Sequence, residues 1–154
     1  MISVYSIVDE IKKHLRDNPT VNTVRFGEMS EADLSKTTMY PLANFTIRDV
    51  TFFDYIMVFR LSFLFLDIVD YTKDYNPNDK GNREDATNML DVYNTQLSVA
   101  NDLISHLRRG DLFDDKYQLT GEPSCRLLKG QYENDLAGWG VEIRIEVQNN
   151  FSIG

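Results

Sequence analysis

The chain has 154 residues, 24 acidic and 16 basic, with a formal net charge of −8 and 42% hydrophobic side chains; that is enough for one domain to bury about 70% of its unfolded surface without staples. Dispersed bases on an acidic chain exclude nucleic-acid wrapping by counterion displacement, and a solitary cysteine, Cys125, excludes a disulfide framework or a cysteine-based zinc site within one chain. The apolar run at 56–66 is interrupted by Arg60 and closed by Asp67, so it is too short and too polar for a membrane span of about 20 residues.

The opening MISVYSIVDEIKK carries Asp9 and Glu10 and no basic region ahead of an apolar run, so it does not read as a signal peptide. With one cysteine, a reducing compartment is the simplest expectation. Residues 1–60 hold 7 Lys/Arg and 8 Asp/Glu, whereas residues 61–154 hold 9 and 16, so the acidity lies in the second part.

In chain order, residues 2–17 predict an amphipathic helix, with Val4, Ile7, Val8, Ile11 and Leu15 on one stripe. Asn18-Pro19 stops it, because Pro cannot continue the hydrogen-bond ladder. Val24 and Phe26 alternate with Thr23 and Arg25 in a short strand, and a polar loop follows over 27–38. Residues 40–50 predict a strand with one wet face: Ala43, Phe45 and Ile47 alternate with Asn44, Thr46 and Arg48. Residues 48–52 then turn the chain into the stretch on which the rest depends.

That stretch, TFFDYIMVFRLSFLFLDIVDY, places Phe53, Tyr55, Met57, Phe59, Leu61, Phe63 and Phe65 on one face of a strand by a period of two. Leu64, Leu66 and Ile68 make its second half apolar on the other face too, so that half must be covered twice. Sixteen residues at about 3.3 Å each would reach roughly 50 Å, which requires a bulge or a projection beyond the domain. A polar loop over 71–82 leads to a long helix with Asn82 as its cap, Ala86, Met89, Leu90, Tyr93, Leu97, Ala100, Ile104 and Leu107 as its stripe, and Gly110 at its end. Residues 111–123 read as an acidic connector. Two closing strands follow at 125–132 and 139–147, the last alternating Trp139, Val141, Ile143, Ile145 and Val147 with polar residues. The expected fold is α+β: one domain with a mainly antiparallel sheet of about five strands flanked by two helices, in the order α-β-β-β-α-β-β. Phe59, Phe63, Tyr93, Leu97 and Ile143 are its expected common core.

Chemistry-bearing patterns are sparse. Asp74, Asn76, Asn78 and Asp85 imitate a calcium loop, but Asp79 stands where a Gly is needed, Pro77 intrudes, and Asp85 replaces the bidentate Glu. His14 and His106 each fall in the last turn of a predicted helix, where a cation opposes the negative helix end. Nothing local marks Cys125 as an activated thiol, and no Gly-rich turn could cradle phosphate. The expectation is a non-enzymatic protein without metal or cofactor.

The order of these elements, with the words NTVRFGE, YPLANFTI, VFRLSFLFLDIVD, LISHLRRGD and WGVEIRIEV, resembles a tail terminator or tail-completion protein of tailed bacteriophages over nearly the whole chain. The resemblance implies a structural virion protein that forms a homo-oligomeric ring, commonly six-fold with twelve-fold as the alternative. Such a ring caps the tail tube and joins it to the head-tail connector or neck, with DNA passing through unbound. It implies residence in the virion, or in the host cytoplasm before assembly, and no catalytic residues. The long third strand and the Asn- and Asp-rich loop depart from the family pattern, so ring number and neighbours are not fixed by it. Subunit or partner contacts are expected from Asp74, Tyr75, Asn76 and Asp79 in the loop and from Phe151 and Ile153 in the tail. The alternative is a non-viral homo-oligomeric adaptor, which would show the same oily strand; a carboxylate-based metal-dependent enzyme is the third reading.

Overall fold

The computed structural model describes residues 3–29, 39–69, 88–109, 117–129 and 136–148. Its elements are α1 (Val4–Arg16), β1 (Thr23–Phe26), β2 (Leu42–Phe52), β3 (Ile56–Ile68), α2 (Met89–Arg109), β4 (Gln118–Thr120), β5 (Cys125–Lys129) and β6 (Leu136–Gln148). They form an α+β fold with a six-stranded sheet in the order β1-β2-β3-β6-β4, in which β5 also pairs with β6. Every pairing is antiparallel except that of β1 with β2. β4 and β5 lie in succession along one edge of β6, opposite residues 144–146 and 137–141. They act as a single edge strand broken at 121–124, where Gly121 takes a positive φ of 75°.

β3 is the centre of the sheet, paired along its length with β2 on one edge and β6 on the other. Met57, Phe59, Leu61, Phe63 and Phe65 are all buried, as their period of two requires. The same face of the sheet receives both helices: Ile7, Ile11 and Leu15 of α1 and Val99, Leu103 and Leu107 of α2 join Phe45, Phe59, Phe63, Ile143 and Ile145 in one core. Phe45 and Phe63 are register partners on adjacent strands and stack at 5.3 Å between centroids, and Phe65 stacks on Phe63 along β3 at 5.8 Å, so aromatic contacts across and along the strands add to plain burial. The apolar second half of β3 is covered on its other face as well, where Leu66 packs with Met39, Tyr40, Leu42, Leu128 and Leu136.

β6 approaches β3 closely at Leu66 opposite Gly138, whose φ is +154°. A Cβ there would collide with the Phe65 carbonyl oxygen, so only glycine fits this rung. At α1, Ser3 and Ser6 form a capping box. The Ser6 N–H donates to Ser3 Oγ at 3.1 Å and the Ser3 N–H donates to Ser6 Oγ at 3.0 Å, satisfying donors that the helix start leaves without a partner.

Several sequence expectations are corrected. β3 begins at Ile56, so Phe53 and Tyr55 lie in a turn and are 53% and 86% exposed instead of continuing the core face. β2 runs on to Phe52 instead of turning at Arg48; the register slips between Ile47 and Asp49, so the bulge lies in β2, opposite the long strand. The connector over 111–123 contains β4. Val4 is 40% exposed and lies off the buried stripe of α1.

The stripe of α2 is rotated from its predicted phase. Met89, Val92, Gln96, Val99, Leu103 and Leu107 are buried, while Leu97 is 41% and Leu90 65% exposed. Tyr93 packs at a separate small cluster with Val69 and Ala137. The cause is Gln96: a polar residue inside the true inward column diverts an apolar count to the neighbouring one. The expected core therefore holds for Phe59, Phe63 and Ile143 and fails for Tyr93 and Leu97. The proposed caps Asn82 and Gly110 lie outside the described residues.

Phe63→Ala should cost about 3–5 kcal/mol, because the ring is fully buried, whereas Leu97→Ala should stay within about 1 kcal/mol; urea unfolding of both variants checks the contrast. Asp67 offers a pH test. Burial pushes its carboxyl up, against a hydrogen bond accepted from the Ile68 N–H. A raised folded pKa means that the ionised form opposes folding, so this contribution is best below the unfolded value of 3.8 and is lost as pH rises through the folded value. Asp67→Asn should therefore stabilise the protein at pH 7, and the gain should shrink toward pH 4 in paired denaturation curves.

Candidate functional site

The most conspicuous surface feature follows from the β2–β3 hairpin. Its turn is short, with the Phe53 N–H donating to the Ile56 carbonyl at 2.9 Å. It carries three large side chains that have no core to enter, Phe52, Phe53 and Tyr55, of which Phe52 is 72% exposed. A second apolar area lies on the outer side of α2, where Leu90 and Leu97 face water. Leu97 and Ile104 with Cys125, Asn94, Ser98 and Asn101 line a shallow groove there. The start of α2 packs on Val69 and Ala137, beyond the far end of β3. The 13 residues of β3 therefore set the hairpin tip about 40 Å from Leu90.

The sheet face turned away from the helices is polar toward the hairpin. Arg60 Nε donates to Asp49 Oδ2 at 2.9 Å, Arg60 also reaches Glu142 at 3.5 Å, and Arg144 lies 3.6 Å from the same Glu142. These groups are well exposed, so each pair contributes little stability. Their effect is to keep that half of the face wet while the Leu66 end is covered.

The helices bring together residues far apart in the chain. His14 near the end of α1 sits against Asp102 and His106 of α2, with the two imidazole rings 4.1 Å apart and tilted by 47°. His14 Nε2 is buried and lies 2.9 Å from Asp102 Oδ2. His106 Nδ1 is 3.0 Å from the Asp102 carbonyl and 3.5 Å from Oδ1; as the donor to that carbonyl it would hold the ring in place. Burial first, and then the His106 charge, push His14 below its ordinary 6.5, against the pull of Asp102 and Asp17. The sequence reading assigned each histidine to its own helix end. Both do lie in the last turn of their helices, and the fold also brings them together; only the His106/Asp102 spacing of four residues hinted at a shared face.

The loop residues Asp74, Tyr75, Asn76 and Asp79, the tail residues Phe151 and Ile153, and the calcium-like positions Asn78 and Asp85 lie outside the described residues. Cys125 is partly buried, and burial pushes its thiol up, opposite to the shift that activates a nucleophile. Among the described residues no helix is long and apolar enough to cross a membrane. No protein-family model and no curated protein matches this chain.

Replacing Phe52, Phe53 and Tyr55 together by Ser should leave the thermal unfolding of the monomer nearly unchanged, within about 0.5 kcal/mol per site, because the side chains contribute little to the core. A large loss of stability in that melt would show that the tip folds back on the domain.

Proposed function

We propose that the chain is a structural virion protein of the head-tail junction of a tailed bacteriophage, forming a ring that caps the tail tube and joins it to the neck or connector while DNA passes through. The observation that supports this reading is the pair of unlike apolar patches, the aromatic hairpin tip and the outer side of α2 with Leu90 and Leu97. A closed ring of identical subunits joins two different patches, one from each neighbour, whereas a twofold dimer joins a single patch to its own copy. The loop with Asp74, Tyr75, Asn76 and Asp79 and the tail with Phe151 and Ile153 are assigned to the same contacts. The partners are further copies of the chain, the tail tube protein and the connector or neck proteins. The role is non-catalytic, and the protein resides in the host cytoplasm before joining the virion.

The acidic balance suits passage of DNA without grip. Residues 61–115 hold 11 acidic side chains against 5 Lys/Arg, and such a surface repels phosphate within about 8 Å at physiological salt. Light scattering and negative-stain imaging of purified protein test the reading: a closed ring is expected, and the Ser-substituted tip should leave subunits unassembled. A compact twofold dimer unaffected by the tip substitutions would favour the adaptor instead. Anisotropy with duplex DNA should show no binding at physiological salt; submicromolar, salt-sensitive affinity would overturn the channel.

A further inference from the structure

We infer that His14, Asp102 and His106 form a binding site for a divalent transition-metal ion, with Zn2+ the reference occupant, bridging α1 and α2. One ligand atom from each of the three residues lies within 4.8 Å of the others. Two imidazoles and a carboxylate form a donor set suited to Zn2+, Co2+ or Ni2+ and poorly suited to Mg2+ or Ca2+, which prefer all-oxygen shells.

The geometry of His14 is informative. Two ligand atoms bound to one ion at about 2.1 Å stand about 3.0 Å apart at a right angle and about 3.4 Å apart at a tetrahedral angle. The separation of 2.9 Å between His14 Nε2 and Asp102 Oδ2 matches the first of these spacings; His106 Nδ1, 3.5 Å from Asp102 Oδ1, would exchange its contact with the Asp102 carbonyl for the ion. Closing the widest gap requires rotation of Asp102 and His106, whose side chains are 42% and 38% exposed.

The electrostatics favour a cation. Asp102 supplies one negative charge, and the Asp17 carboxylate lies near His14. His14 is only 15% exposed while its two partners open to solvent, so an ion can enter from the α2 side and keep water in its remaining positions. Bound there, it would tie the end of α1 to the last two turns of α2, two elements otherwise joined through the core beneath them.

The test uses the full chain, stripped with chelator and then titrated with Zn2+ by calorimetry, with Co2+ absorption as a second signal. Uptake of one Zn2+ per chain is expected, with a raised melting temperature that Mg2+ and Ca2+ do not reproduce. Asp102→Asn and His106→Gln involve half-exposed side chains, so both variants should keep the metal-free melting temperature and bind Zn2+ at least about tenfold more weakly. His14→Gln should abolish the Co2+ imidazole signature even if it lowers stability. No stoichiometric uptake by the wild-type chain, or affinity unchanged in Asp102→Asn and His106→Gln, would overturn the site.

Discussion

β3 is hydrogen-bonded on both edges, and its alternate side chains are almost wholly apolar on one face and apolar over half of the other. A strand of that kind can be satisfied only inside a sheet with a layer laid over it. Both helices therefore lie on the face of Phe59 and Phe63, and the segment at 39–42 closes over Leu66 on the opposite one. Where the second face becomes polar, at Arg60 and Ser62, no cover is needed and ion pairs with Asp49 and Glu142 meet the water. The tight fit at Gly138 follows from the same demand, since β6 must run beside β3 through Leu66 without a side chain in the way.

The surface features are by-products of this centre. Because β2 and β3 stay paired to their ends, the hairpin carries its aromatic tip beyond the helices that cover the core. Because both helices share one face, their outer halves meet, and His14 comes to lie beside Asp102 and His106. The first result leaves three large aromatic side chains exposed at one end of the sheet. The second gathers side chains able to ligate a metal from positions 88 and 92 residues apart in the chain.

Much of the architecture was legible from local periods. The odd positions from Met57 to Phe65, the alternation from Val141 to Val147 and the stripe Ile7, Val8, Ile11, Leu15 are each dictated by how a strand or helix turns its side chains, whatever they pack against. The short strand β4 was hidden because Gln118–Thr120 carries one apolar residue and is held by pairing with β6, which no local pattern encodes.

The sequence by itself determined which faces of β3, β6 and α1 are buried and that two helices must cover a mostly antiparallel sheet, since backbone geometry repeats every two or 3.6 residues and writes itself into side-chain alternation. Only the tertiary structure decided that Phe53 and Tyr55 leave the core, that α2 turns Gln96 inward and Leu97 outward, and that two histidines meet. Each of these depends on which residue stands opposite in register or across a helix contact, and such pairings join positions too far apart in the chain for any local period to record.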